Sequence, residues 1–136
     1  MEISLWFNTN KVTNMIVKNI KWISKTAEEA EVEISDGEFT CIAFSQPCNA
    51  NIGDTIKEPL HVFSIKNAML CEGDTALGIF GNEGTGLSRK VIARVVDVSE
   101  QLIAVGRINL TIEDYLPGGI RAGDLIEFDC ARIDLW

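Results

Sequence analysis

The sequence predicts an all-β or β-dominated α+β domain, built as a small barrel or sandwich. Three observations carry that expectation. β-branched and aromatic residues collect in short runs separated by turn residues. An Asp-Gly pair divides one alternating run in two, a strong hairpin signal. A motif of Pro, five residues, Gly-Asp, one residue and Ile occurs twice, as PCNANIGDTI (47–56) and PGGIRAGDLI (117–126).

In chain order, KVTNMIVKNIKWISK (11–25) is ambiguous. Val12, Met15, Ile16, Ile20 and Ile23 recur near helical spacing, with Thr9 or Asn10 as N-cap, but 16–23 is also β-rich. The repeat favours a strand. EVEISDGEFTCIAF alternates Val32 and Ile34 with Glu31 and Glu33, then turns at Asp36-Gly37. LHVFSI (60–65), KVIARVVDV (90–98), QLIAVGRINLTI (101–112) and DLIEFDCARIDLW (124–136) read as further strand segments, with a tight turn at Ser99-Glu100. Residues 66–89 are expected to be the irregular connection, since four of the eleven glycines fall between 73 and 84.

One domain spans 1–136, with a β-rich half at 1–65, a connecting segment at 66–89 and a second half at 90–136. Two β-type segments precede each Gly-Asp, and the halves align if five residues are inserted near 27–31 in the first. Glycine allows the sharp backbone turn and the aspartate bonds amides beside it. The motif resembles the Gly-Asp turn of pseudo-symmetric cradle-loop β-barrels, which implies two related halves.

Composition narrows the function. Net charge is −8 from twenty acids and twelve basic residues, and Arg89-Lys90 is the longest basic run. Such a surface repels phosphate backbones and anionic membranes, so neither nucleic acid nor membrane is an expected partner. The N-terminus shows no signal-peptide pattern, and the cytoplasm is the expected compartment. Cys41, Cys48, Cys71 and Cys130 lack zinc spacing, and Cys41, Cys71 and Cys130 sit in apolar contexts as small buried hydrophobes.

The stretch IFGNEGTGLSR (79–89) comes nearest to a ligand-binding motif. Gly81 to Ser88 fits a phosphate-binding loop except that Leu87 stands where the lysine belongs. Glu83 opposes an anion, and a β-branched run follows where a helix is required. Gly81, Glu83, Gly86 and Leu87 are also similar to the cofactor loop of knotted RNA methyltransferases, which implies S-adenosylmethionine binding. That likeness covers about thirteen residues, and the family's other motifs and its βα repeats are missing. Gly81, Glu83, Gly84 and Gly86 are therefore low-ranking cofactor candidates beside a plain glycine turn.

The lone histidine, His61, has no nucleophile at catalytic spacing and reads as a structural or surface residue in a strand. No catalytic residue, cofactor or metal site is expected. Glu31, Glu33, Glu113, Asp114 and Trp136 are the partner-binding candidates: acids on solvated strand faces and an aromatic anchor. The functional expectation is a non-enzymatic acidic protein that binds a cationic protein partner, as an immunity or antitoxin protein neutralises a nuclease toxin. The alternative is an enzyme domain that takes S-adenosylmethionine or a nucleotide-like ligand at the 81–88 loop.

Overall fold

The computed structural model describes residues 15–81 and 86–136, and among these every regular element is a strand. The first half contains β1 (Met15–Ser24), β2 (Glu29–Ser35), β3 (Thr40–Ser45), β4 (Thr55–Ile56) and β5 (Leu60–Phe63). β6 (Lys66–Leu70) and β7 (Gly78–Gly81) follow. The second half contains β8 (Arg89–Asp97), β9 (Leu102–Val105), β10 (Ile108–Ile112), β11 (Leu125–Cys130) and β12 (Arg132–Asp134). The protein is all-β. Its hydrogen-bonded order is β4-β1-β2-β3-β12-β5-β10-β9-β8-β11-β6, with β7 beside β8, and this ladder stays open rather than closing as a barrel.

The order is a palindrome around the β12–β5 pair. Exchanging β1 to β5 with β8 to β12 returns the same sequence of strands, apart from the added β6 and β7. Each half gives its final strand to the other: β12 runs parallel to β3, and β5 runs parallel to β10. β5 and β12 then meet antiparallel on the pseudo-two-fold axis, with Val62 opposite Ile133.

The Gly-Asp turns superpose bond for bond. Gly53 N–H donates to the Val17 carbonyl at 2.8 Å, and Gly123 N–H to the Val95 carbonyl at 2.8 Å. Val17 N–H donates to Asp54 O at 2.9 Å, and Val95 N–H to Asp124 O at 2.8 Å. One oxygen of Asp54 accepts Asn51 N–H and one of Asp124 accepts Arg121 N–H, each at 2.8 Å. Both glycines hold a φ near +95°, which an L side chain rarely adopts.

The halves differ in one hairpin. Seventeen positions separate Val17 from its partner Ile34, but eight separate Val95 from Ile103, a difference of nine residues rather than the expected five. Those nine lengthen both strands of the β1–β2 hairpin. Its tip is the same four-residue turn as at β8–β9, closed by Glu28 and Gln101 at positive φ.

Alternation sets the core. Val32 and Ile34 of β2, Cys41 and Ala43 of β3, Leu60 and Val62 of β5, and Ile108, Leu110 and Ile112 of β10 are all at most 1% exposed. Each buried valine, leucine or isoleucine among them contributes about 1.5–3 kcal/mol relative to exposure.

Four expectations need correction. Residues 101–112 are not one strand: Gly106, at φ +61°, turns them into the β9–β10 hairpin. Residues 124–136 bend at Ala131 into β11 and β12. The Asp36-Gly37 turn is not a two-residue turn, because Ser35 pairs with Thr40 and leaves four residues between them. The described part of 66–89 is more regular than expected, since β6 adds to β11 and β7 to β8. The ambiguous segment is a strand from Met15 to Ser24, and its first residues lie outside the described region.

Asp36 ties the two halves together beyond the strands. One of its oxygens accepts Glu38 N–H at 2.8 Å and Phe39 N–H at 2.6 Å, and the other accepts Arg107 N–H at 2.7 Å. Burial acts to raise the carboxyl pKa, but these amide bonds outweigh it and hold it below the ordinary value.

Candidate functional site

The described ends of the glycine loop, Gly81 and residues 86–89, do not present a free cation to an anion. Gly81 ends β7 opposite Arg89, and Gly86 lies just before β8; Glu83 and Gly84 fall outside the described residues. Arg89 is buried, and its Nη1 donates to the carbonyls of Gly86 and Ser88, both at 2.8 Å. The Arg89 guanidinium therefore bonds the loop's own backbone. β8 follows directly as a strand, so among the described residues no helix N-terminus follows the loop.

The acids divide into two groups. Glu31 and Glu33 stand half-buried on the outer face of β2, where Glu31 lies opposite Lys21 of β1 and Phe44 of β3. At the far edge, Glu127 accepts Lys90 Nζ at 2.8 Å and Cys71 Sγ at 3.7 Å, while Asp129 accepts Asn67 Nδ2 at 3.0 Å. Asp114 is structural: it accepts Ile65 N–H at 2.8 Å and anchors the chain after β5.

The largest convergence of chemically distinctive side chains lies on the outer face of the β3–β12–β5–β10 seam. His61 and Trp136 stack with ring centroids 3.4 Å apart and planes 13° apart, and Phe63 flanks the indole at 6.3 Å. His61 Nδ1 also lies 2.7 Å from Glu113 Oε2. Across the axis, Arg132 donates to both oxygens of Asp134 at 2.6 and 2.8 Å, and its guanidinium lies 4.7 Å from the Phe44 ring centre. Trp136 is 76% exposed.

Two-fold pairing explains why these residues meet. The antiparallel register makes His61 the equivalent of Arg132, and Phe63 the equivalent of Asp134. Phe44 and Glu113 occupy matching places, one just beyond Ala43 and the other just beyond Ile112. The hydrogen-bond contact His61–Glu113 and the cation–π contact Arg132–Phe44 are thus the same contact made with different chemistry.

Of the sequence candidates, Glu113 and Trp136 come together on His61, with Glu31 further along the same face beside Phe44. Arg132, Phe44 and Phe63 were missed. A signal existed, because His61 and Arg132 each follow a Gly-Asp turn by seven or eight residues.

Nothing in the thiols suggests nucleophilic chemistry. Burial pushes the Cys41 thiol up to about 12 and Cys130 to about 11, while desolvation and Glu127 raise Cys71. No cluster of three or more potential metal ligands exists among the described residues, and no helix there is long and apolar enough to cross a membrane. The chain matches no protein-family model, no curated protein and no solved structure.

Proposed function

We propose that the protein is a non-catalytic binding module that engages a protein partner through the seam around Trp136. One observation carries the reading: an indole 76% exposed stacks face to face on His61. An aromatic side chain already ordered before contact loses little entropy on binding, the property of an interface anchor. Glu113 and Arg132 supply a polar rim, and the buried Asp134 fixes the Arg132 guanidinium. The charge of −8 favours a cationic partner and speeds its approach. An immunity or antitoxin protein that neutralises a cationic nuclease toxin is the specific form we favour.

The test is co-expression with the product of the neighbouring gene, followed by affinity measurement across salt concentrations. A complex whose association slows steeply with salt, and which Trp136→Ala weakens about tenfold or more, is the expected result. S-adenosylmethionine and ATP are expected to leave the melting temperature unchanged. A clear rise with either ligand in excess would overturn the reading in favour of a ligand-binding loop.

A further inference from the structure

We infer that β4 is a docking edge for an extended segment of the partner, one alternating apolar and basic residues and added antiparallel to β4. This rests on the reading of Trp136 as a binding anchor and names how the partner would be held.

The two-fold relation supplies the argument. β4 and β11 are equivalent: Thr55 lies opposite Ile16 as Leu125 lies opposite Arg94, and each strand follows its own Gly-Asp turn. The far edge of β11 is covered by β6, antiparallel, with Ile126 opposite Leu70 and Glu127 opposite Met69. Cys71 N–H closes that contact by donating to the Leu125 carbonyl at 2.8 Å. The far edge of β4 carries no strand among the described residues and ends the sheet. Among the described residues, one of two equivalent edges thus carries an extended segment and the other carries none.

The backbone at β4 is oriented to accept a strand. Asp54 O is bonded to Val17 N–H, on the β1 side. In an antiparallel ladder the groups of successive residues alternate sides, so Thr55 directs its N–H and C=O outward. Thr55 is exposed and corresponds to Leu125, the residue whose carbonyl receives Cys71. Its side of the sheet also offers side-chain pockets. Two cavities of about 320 and 410 Å³ lie beside this edge, sharing Thr55, Ile56, Leu135 and Trp136 as walls. A strand's side chains alternate faces, so every second residue of the occupant would enter this groove and the rest would face away. Apolar residues suit the groove beside Ile56, Leu135 and Trp136, and basic residues between them suit a chain of net charge −8.

The test uses the full chain and a fluorescein-labelled nine-residue peptide alternating Leu and Lys, with a Leu–Glu peptide as comparison. Expected results are binding of the basic peptide, quenching or shifting of tryptophan emission that Trp136→Ala abolishes, and amide-resonance shifts centred on Thr55 and Ile56. N-methylation of alternate peptide nitrogens should weaken binding about tenfold or more, as should Thr55→Pro, which removes an outward N–H where edge strands tolerate proline. Trp136-dependent binding indifferent to N-methylation and to Thr55→Pro would overturn strand addition while leaving the anchor reading intact. Binding unaffected by Trp136→Ala would overturn both. Absence of peptide binding, equal binding of the acidic peptide, or a dimer by sedimentation that Thr55→Pro dissociates would overturn the proposed occupant.

Discussion

The two halves of this chain share a backbone plan and almost no outer-face chemistry. At the Gly-Asp turns, the same hydrogen bonds recur at nearly the same lengths with φ values one degree apart. On the axis, by contrast, Phe44, His61 and Phe63 of one half stand where the other places Glu113, Arg132 and Asp134. The comparison separates two kinds of constraint. Backbone geometry at a turn admits few residues, so it repeats wherever the turn is needed. An outer sheet face admits many, so it is free to diverge between the halves.

The sharpest way to break the comparison is at the paired hairpin glycines, Gly37 and Gly106. A Cβ at Gly106 would lie 2.5 Å from the Phe39 ring and 2.7 Å from the Asp36 carboxylate, whereas Gly37 faces open space. Gly106→Ala is expected to cost about 4 kcal/mol, combining overpacking with positive-φ strain. Gly37→Ala carries the φ term alone, about 1–2 kcal/mol. Denaturant unfolding of both variants checks this, and equal losses would mean the halves respond alike despite their different surroundings.

A smaller effect separates Asp36 from its counterpart Val105, a buried apolar residue at the corresponding end of β9. Asp36→Asn would point an amide donor at one of the backbone donors Asp36 now accepts, at a cost of about 1–3 kcal/mol near neutral pH. Because the folded-state pKa is depressed, the wild-type contribution is complete above the ordinary value of 3.8 and is lost as pH falls through the lower folded value. Melting temperature against pH should therefore show a shallower acid decline in the Asn variant. A parallel decline would remove Asp36 from the acid response.

The smallest effect on folding is expected at the axis. Trp136→Ala should change stability by about 1 kcal/mol or less, because the indole is mostly exposed and its stack on His61 is its main contact. Its effect should appear in binding. A large loss of stability on this substitution would make the tryptophan a structural plug instead of an anchor.

Strand content was legible because alternation is a local property: Val32 and Ile34 against Glu31 and Glu33 specify an inner and an outer face without outside help. The repeat was legible too, since a Gly at φ near +95° followed by an amide-bonding Asp leaves a signature within ten residues. Glu31 and Glu33 do alternate with the buried Val32 and Ile34, whereas Asp114 is spent on the Ile65 amide, and Glu113 and Trp136 both contact His61. The glycine stretch at 79–89 looked the most functional, yet the structure shows Arg89 turned onto that loop's own carbonyls. His61 looked ordinary and stands between Glu113 and Trp136.

By itself, then, the sequence determined the all-β content, the two Gly-Asp turns and the acidic outer surface, because each depends on neighbours a few residues apart. Only the tertiary structure decided that the halves exchange their last strands. That pairing brings Leu60 beside Leu110 and Phe44 beside Asp134, residues far apart in the chain. Nothing local encodes such a register; it is set when both halves bury their apolar faces in one core. The seam and the stacked tryptophan follow from that exchange.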